Sequence, residues 1–286
     1  MGYLAFCGLT GYDRNELIGR NSQEILTSDQ MDPTDRQVLW ETILSGKVWR
    51  GDLLNRTKDG TEFHQSTMIT PIRDATGEIT HFFGVIRDIS EHKRNEERIH
   101  ALAFFDTLTQ LPNRRLLNDR LRRAQAASKR DGRYAALMFL DLDNFKPLND
   151  THGHNVGDLL LIEVARRLTR CVRATDTVAR FGGDEFVVLL DGLDANRQTS
   201  TEQAGQIAEK IRLSIAEPYS LMVEAAGEAP RSIVHHCAAS IGVVLFTATD
   251  ALDDVLEAAD QAMYQAKQGG RNRVVFDDAP LANAAT

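Results

Sequence analysis

The feature that most constrains this chain is a short acidic turn between two apolar runs. The runs, at 177–179 and 186–190, are typical of buried strands, so GGDE at 182–185 is predicted to form the tip of a β-hairpin. Adjacent glycines permit positive φ and let a ligand approach the backbone closely. Asp184 and Glu185 follow, and neighbouring carboxylates repel each other unless a cation or a proton is bound. Taken alone, the turn fits a polar hairpin tip as well as it fits a binding site.

A second acidic stretch favours the binding site. Residues 134–140 form an apolar run that ends in DLDNFK at 141–146, so a buried strand carries carboxylates and an ammonium at its end. Mg²⁺ binds to oxygen ligands, usually one or two carboxylates together with substrate phosphates. Paired metal ions about 4 Å apart can clamp a phosphoryl displacement. The two stretches together predict a divalent-metal site for a substrate that carries phosphates.

Composition excludes several classes of function. The 286 residues, 42% of them hydrophobic, favour two domains over one. The net charge of -8 argues against a nucleic-acid partner. No run approaches the roughly 18 apolar residues that a membrane span needs, so we expect a soluble chain. Cys7, Cys171 and Cys237 are too few and too scattered for a disulfide framework or a zinc site, which predicts a reducing, cytoplasmic location.

Several ordered motifs resemble the GGDEF-type diguanylate cyclase domain over about residues 104–277. They are GGDEF at 182–186, DLDNFKPLND at 141–150, GH at 153–154, GD at 157–158, DTLTQLPNRR at 106–115 and ADQAMYQAK at 259–267. Periodicity predicts helices at 116–128, 157–171, 201–216 and 251–268, and strands at 134–142, 237–246 and 273–276 besides the hairpin. The resemblance implies a palm-like, ferredoxin-related sheet covered by helices.

Residues 1–90 resemble a PAS sensor domain. Short helical turns end at glycines, an amphipathic segment covers 33–44, and alternating strands at 49–56, 62–71 and 78–89 form a meander. A PAS domain normally has two strands before the region at 6–12, and only a few residues precede it here, so either the chain is truncated or it lacks those strands. We therefore predict an α+β chain of two domains: a PAS domain at 1–90, a linker helix at 91–105 and a cyclase domain at 106–286.

No cofactor is predicted for the PAS domain. His64 and His81 lie in predicted strands, where a histidine is far more often packed or exposed than bound to haem. The large aromatic side chains of this region are expected to form its core.

The linker carries many charges and a narrow apolar seam at Ile99, Leu102 and Phe105. The seam favours a short parallel coiled coil between two copies of the chain. The alternative is a solvated connecting helix.

The resemblance implies that two GTP molecules are joined into cyclic di-GMP with loss of pyrophosphate. It implies that two magnesium ions, or manganese, are held by Asp141, the Leu142 carbonyl, Asp184 and Glu185. Asp184 also lies where the family places the group that deprotonates the attacking hydroxyl, and with Glu185 it is the predicted catalytic pair. Because one subunit presents one GTP, the resemblance also implies a homodimer, whose active site forms between subunits.

The remaining substrate contacts are carried over by motif position. Asn144, Phe145 and Lys146 are predicted to cradle phosphates, together with Lys267 and Arg271 near the end of a helix. By themselves, the last two would be read as a basic turn that offsets the helix dipole. Asn149 and Asp158 match the guanine-reading positions, and a carboxylate that accepts from guanine selects against adenine. His154 fits a ribose contact and a loop brace equally.

Arg173 and Asp176 match an R-x-x-D site at which the product, cyclic di-GMP, inhibits members of the family. The pattern is trivial by itself and also fits a turn before a strand. A catalytically inactive domain that only binds GTP or cyclic di-GMP is the alternative function, and a scaffold that pairs partners is a third.

Overall fold

In this computed structural model the chain is described at residues 2–20, 33–223 and 231–277. The predicted domains also include residues 1, 21–32, 224–230 and 278–286, which lie outside the described residues. The chain divides into two compact units, Met1–His100 and Ala101–Thr286. None of the helices in the described ranges is both long and apolar enough to cross a bilayer.

The first unit has short helices followed by an antiparallel meander, as predicted. Its elements are α1 (Gly2–Thr10), α2 (Arg14–Leu17), α3 (Pro33–Leu44), β1 (Trp49–Arg56), β2 (Glu62–Arg73) and β3 (Ile79–Asp88). Gly60 closes the β1–β2 turn at φ +92°, which an L-residue with a side chain rarely adopts. Within the described residues this sheet has three strands in the order β1-β2-β3.

The helix α4 (Ser90–Phe104) contains the division between the two units. The second unit then follows an alternating order. Its elements are α5 (Arg114–Asp131), β4 (Ala135–Asp143), α6 (Phe145–His152), α7 (His154–Cys171), β5 (Thr177–Gly182), β6 (Glu185–Leu190), α8 (Arg197–Ala216), β7 (Tyr219–Val223), β8 (Arg231–His235), β9 (Ala238–Phe246), α9 (Leu252–Gln268) and β10 (Val274–Asp277).

The second unit is organised on a five-stranded sheet in the order β10-β9-β4-β6-β5. All neighbouring pairs are antiparallel except β10 and β9, which are parallel. The predicted α+β class and the hairpin at 182–185 are therefore confirmed. The central strand β4 is buried along all nine residues. Its alternate side chains enter two separate cores, one on each face of the sheet, with Met138 in one core and Leu137 in the other.

Two local predictions were incomplete. The predicted helix at 157–171 is the longer helix α7, and the separate helix α6 precedes it; Gly153 divides them at φ +84°. The two-stranded ribbon of β7 and β8 was not predicted, although Tyr219 and Leu221 alternate with exposed residues along β7. Both elements are short, and short elements give a weak periodic signal.

Candidate active site

The strand register brings the two acidic stretches together. Asp141 on β4 lies directly opposite Glu185 on β6, and the Leu142 N–H donates to the Asp184 carbonyl at 3.3 Å. Directly opposed residues on antiparallel strands have Cβ atoms about 5 Å apart. The tip itself turns at Gly183, which has φ +51°. The end of the sheet at which β4 finishes and β6 begins is called the acidic edge. It carries Asp141, Leu142, Asp184 and Glu185 side by side.

The pKa values of Asp141 and Glu185 are raised above their ordinary range. Burial raises the pKa of Asp141, and repulsion from Asp184 and Asp143 adds to it, while a hydrogen bond from Lys267 acts in the opposite direction. Burial also raises the pKa of Glu185, with repulsion from Asp141, Asp260 and Asp184. A bound cation would relieve this repulsion, because it favours the charged form of each acid.

The Lys267 ammonium is one of the cations at this edge. Lys267 lies in the last turn of α9, and its Nζ is 2.7 Å from Asp141 Oδ2. Among the described residues, no three acidic, histidine or cysteine side chains lie together in an arrangement that could hold a metal ion. The fit to magnesium therefore rests on the donor types, on their adjacent backbone positions and on their mutual repulsion.

The loop after β4 places the start of a helix beside the acids. Asn144 adopts a left-handed conformation (φ +62°) and begins α6 without a side-chain cap. The first amides of a helix that has no cap are available to an anion. Phe145 and Lys146 follow in the first turn, and Lys146 is exposed. These three predicted phosphate-binding residues thus follow Asp141 within five positions of the chain.

Asn149 is the most informative of the predicted guanine contacts. Its Oδ1 is buried and has no hydrogen-bond partner among the described residues. It lies against Gly157 on α7, where an added Cβ would be 1.9 Å from Oδ1. A buried amide oxygen without a partner costs about 1–3 kcal/mol, so its persistence points to a ligand. Asp158 and His154, also on α7, are exposed.

Arg271 and Asp143 form a second cation–acid pair at the same edge. Arg271 Nε is 3.9 Å from Asp143 Oδ1, and Asp143 is buried at the end of β4. Arg271 was predicted as a phosphate contact, whereas no role was predicted for Asp143. Its position two residues after Asp141 places both acids on the same face of the strand, a signal available in the sequence.

Sequence reasoning also missed a tether on the hairpin tip. The Arg180 guanidinium donates to the Gly183 carbonyl at 2.7 and 3.0 Å and to the Asp106 carboxylate at 3.0 Å. Asp106 also accepts from the Thr109 amide and hydroxyl. This network fixes the carbonyl immediately before Asp184. Asp106 and Arg180 are far apart in sequence, so only the folded chain reveals the pair.

The predicted product site is a compact turn before β5. The Arg173 N–H donates to Asp176 Oδ2 at 2.9 Å, and the Asp176 N–H donates to the Arg173 carbonyl at 3.0 Å. Arg173 is exposed. This geometry fits both alternatives that the sequence left open, a strand-entry turn and a ligand site.

Two family models match the chain. The model described as "Diguanylate cyclase, GGDEF domain" matches residues 103–273, and a PAS domain model matches residues 3–91. The first of these covers more than half of the chain.

Curated relatives agree with these matches. A "Bifunctional diguanylate cyclase/cyclic di-GMP phosphodiesterase MucR" of Pseudomonas aeruginosa is 43% identical over 67% of this chain and 26% of that protein. The diguanylate cyclase DgcM of Escherichia coli K12 is 34% identical over 78% of this chain and 50% of that protein. A diguanylate cyclase of Vibrio cholerae is 31% identical over 90% of this chain and 76% of that protein. The chain spans between a quarter and a half of the length of the first curated relatives it matches.

Solved structures match the second unit. The GGDEF domain of PA1120 from Pseudomonas aeruginosa is 35% identical with a TM-score of 0.53, over 60% of this chain and 99% of that one. The coiled coil and GGDEF domain of DgcB from Caulobacter crescentus, solved with c-di-GMP, is 29% identical with a TM-score of 0.56, over 66% of this chain and 93% of that one. The chain therefore belongs to the GGDEF family of diguanylate cyclase domains and carries a PAS domain before that domain.

Proposed function

We propose that the chain is a diguanylate cyclase that condenses two GTP molecules into cyclic di-GMP. The 3′-oxygen of each GTP attacks the α-phosphorus of the other, and two pyrophosphates leave. The observation that carries the proposal is the register that sets Asp141 opposite Glu185, with Asp184 held beside Leu142. Phosphoryl transfer needs mainly positioning and charge neutralisation, and cations held by these acids would supply both.

Asp141, the Leu142 carbonyl, Asp184 and Glu185 are the residues that would hold two magnesium ions, with manganese as a substitute. When bound, such ions neutralise charge on the phosphates and on the attacking and leaving oxygens. Asp184, at the tip, would accept the proton of the attacking hydroxyl. The tether from Arg180 to the Gly183 carbonyl keeps this tip in place.

The other predicted residues divide between the two ends of GTP. The amides of Asn144, Phe145 and Lys146, with Lys267 and Arg271, would bind the phosphates. Support for this comes from the uncapped start of α6 and from the two cations beside β4. Asn149 and Asp158 would read guanine, which the unpartnered Asn149 oxygen supports. His154 lies at the first residue of α7 and keeps both predicted roles, a ribose contact or a loop brace.

Regulation is proposed at three levels. Two copies must face each other, because one subunit presents one GTP, and α4 offers exposed Ile99 and Leu102 for pairing. The PAS domain would set that pairing. Arg173 and Asp176 would bind the product and inhibit the enzyme. We also propose that the PAS domain ends at residue 90 and that the linker helix ends at residue 105.

The test is incubation of the full chain with GTP and Mg²⁺, followed by identification of the products. Cyclic di-GMP and pyrophosphate in a 1:2 ratio are expected from the wild type, and Asp184→Ala should form neither at a measurable rate. A wild type that binds GTP without turnover would instead be the nucleotide receptor that the sequence left as the alternative.

A further inference from the structure

The feature behind this inference is the buried carboxylate of Asp143, for which the proposed reaction has no role. Asp143 is only 6% exposed at the end of β4. Its Oδ1 accepts from the Ser240 hydroxyl at 2.8 Å, and its Oδ2 accepts from the Asn272 backbone N–H at 3.0 Å. Ser240 lies on the neighbouring strand β9 and is fully buried. Both oxygens of Asp143 therefore hold other parts of the fold.

The Asn272 contact stabilises an unfavourable turn between α9 and β10. Arg271 has φ +63° and Asn272 has φ +45°, so two consecutive residues with side chains are left-handed. Each such residue costs about 1 kcal/mol. The Arg271 N–H donates to the Ala266 carbonyl at 3.0 Å, which fixes the start of the turn. Arg212 Nη1 donates to Asn272 Oδ1 at 2.9 Å, and Asp143 fixes the backbone between these contacts.

The same carboxylate also attracts the Arg271 side chain. Arg271 Nε is 3.9 Å from Asp143 Oδ1, beyond hydrogen-bond distance, and 57% of the side chain is exposed. Arg271 is therefore held near the edge of the sheet by charge, while much of its guanidinium remains open to another anion. A guanidinium offers five donors and binds phosphate in a bidentate manner.

The two cations of this edge are matched to two acids of β4. Asp141 and Asp143 are two residues apart and lie on the same face of a strand. Lys267 pairs with Asp141, and Arg271, four residues later, faces Asp143. Each of the two acids therefore lies near one of the two cations.

We propose that Asp143 is a positioning residue for the phosphates of the nucleotide. It acts through the Asn272 amide and the Arg271 guanidinium, which it keeps at the side of the site where the phosphates would lie. The inference rests on the proposed function, because it takes a guanosine triphosphate as the ligand.

The experiment compares two ligands in the full chain. Asp143→Asn keeps the shape of the side chain but replaces one accepting oxygen by an NH₂ group, which cannot accept a hydrogen bond. Affinities for a non-hydrolysable GTP analogue and for GMP are measured by calorimetry in the presence of Mg²⁺. We expect a loss of about tenfold for the analogue. GMP affinity should stay within about twofold of the wild type, because the guanine contacts on α6 and α7 are untouched.

Four further variants make the result specific. Arg271→Ala should reproduce the selective loss, and the double variant with Asp143→Asn should lose no more than Arg271→Ala alone. Asp253→Asn removes an exposed carboxylate from the first turn of α9 and should leave both affinities unchanged. If Asp143→Asn does not fold, Ser240→Ala, which loosens the same carboxylate, should show the same selective loss in smaller size.

The possible contradictions are distinct. Equal losses for the analogue and for GMP would show a purely structural role, and an unchanged analogue affinity would show no role. Additive losses in the double variant would show that Asp143 does not act through Arg271. A wild type that binds neither ligand would overturn the proposed function itself, and the inference with it.

Discussion

The strands β3 and β4 differ in how much of their length is buried. β4 in the second unit is buried along its whole length, and its acids Asp141 and Asp143 are buried with it. β3 in the first unit is exposed at eight of its ten positions, and these include the large apolar residues Phe82, Phe83 and Val85. The prediction that the aromatic side chains of this region form its core was therefore wrong for Phe82 and Phe83. A carboxylate buried in an apolar strand costs several kcal/mol unless it has partners, so it marks a site.

A polar residue on an exposed strand carries no such information. This difference explains why the second unit yields a detailed site and the first yields none. His64 and His81, the histidines considered as haem ligands, lie on β2 and β3, and the prediction of no cofactor for this unit stays a prediction.

The largest expected effect comes from the buried acids. Asp141→Asn should lower turnover of GTP by a factor of about 100 or more, because it removes charge from the site where a divalent cation would neutralise phosphates. Glu78→Gln, an exposed acid just before β3, should leave turnover unchanged. Steady-state release of pyrophosphate checks both. Comparable losses in the two variants would remove the distinction between the units.

A backbone contact gives the next effect. Gly242 on β9 lies against α9, and an added Cβ would be 2.2 Å from the Ala259 carbonyl oxygen. Because helix backbone cannot move aside, Gly242→Ala should destabilise the second unit by at least about 2 kcal/mol. Gly84→Ala on β3 adds a Cβ with nothing within 4 Å and should change stability by less than about 0.5 kcal/mol. Urea unfolding, monitored by hydrogen exchange of the β9 and β3 amides, measures the stability change in each variant. Equal losses of stability in Gly242→Ala and Gly84→Ala would contradict the difference between the two strands.

A third substitution tests the guanine pocket. Gly157→Ala would press a methyl group onto Asn149 Oδ1 and against Phe145, which is 3.2 Å from the added Cβ. The affinity for GMP should fall about tenfold, since the displaced amide loses its contact to the base. The matched control is Gly8→Ala in α1, where an added Cβ meets nothing within 4 Å. Titration calorimetry decides, and an unchanged GMP affinity in Gly157→Ala would exclude Asn149 as a base reader.

The smallest effect concerns pH. Burial would raise the pKa of Asp106, but hydrogen bonds from Thr109 and Arg180 outweigh it and hold the pKa below its usual value. The stability from this pair is therefore present above the unfolded pKa of about 4 and is lost as pH falls through the lower folded pKa. Asp106→Asn should be less stable than the wild type by about 1 kcal/mol at neutral pH. The gap should close in acid.

The first unit provides the comparison for this pH effect. The hydroxyl and amide of Thr76 lower the pKa of Asp74, but that carboxylate is fully exposed. Asp74→Asn should therefore show a weaker pH dependence than Asp106→Asn. Unfolding curves measured between about pH 3 and pH 7 show which variant has the stronger pH dependence of stability. A gap for Asp106→Asn that is constant with pH would show that its charge is not involved.

The sequence predicted the strands and the acidic tip because their signals are local. The apolar runs around 182–185 and before Asp141 define β4, β5 and β6 without knowledge of their neighbours. The family resemblance then supplied the roles of the acids and cations. The order β9-β4-β6 and its register depend on tertiary contacts, so the position of Asp141 opposite Glu185 emerged only from the folded chain.

The unpredicted parts share one property, which is distance along the chain. Asp106 binds Arg180, which lies 74 positions later in the chain, and Asp143 binds Asn272, which lies 129 positions later. Such hydrogen bonds leave no periodic pattern, and each partner alone is an ordinary polar residue. The division between α6 and α7 is different, because Gly153 is a local sequence signal for a break between helices.

The most direct test is a crystal structure of the chain with Mg²⁺ and a non-hydrolysable GTP analogue. The expected result is a divalent cation between Asp141 and the Asp184–Glu185 tip, with Lys267 moved from Asp141 onto a phosphate. An analogue bound elsewhere, or a tip without a cation in which Lys267 still pairs with Asp141, would contradict the proposed site.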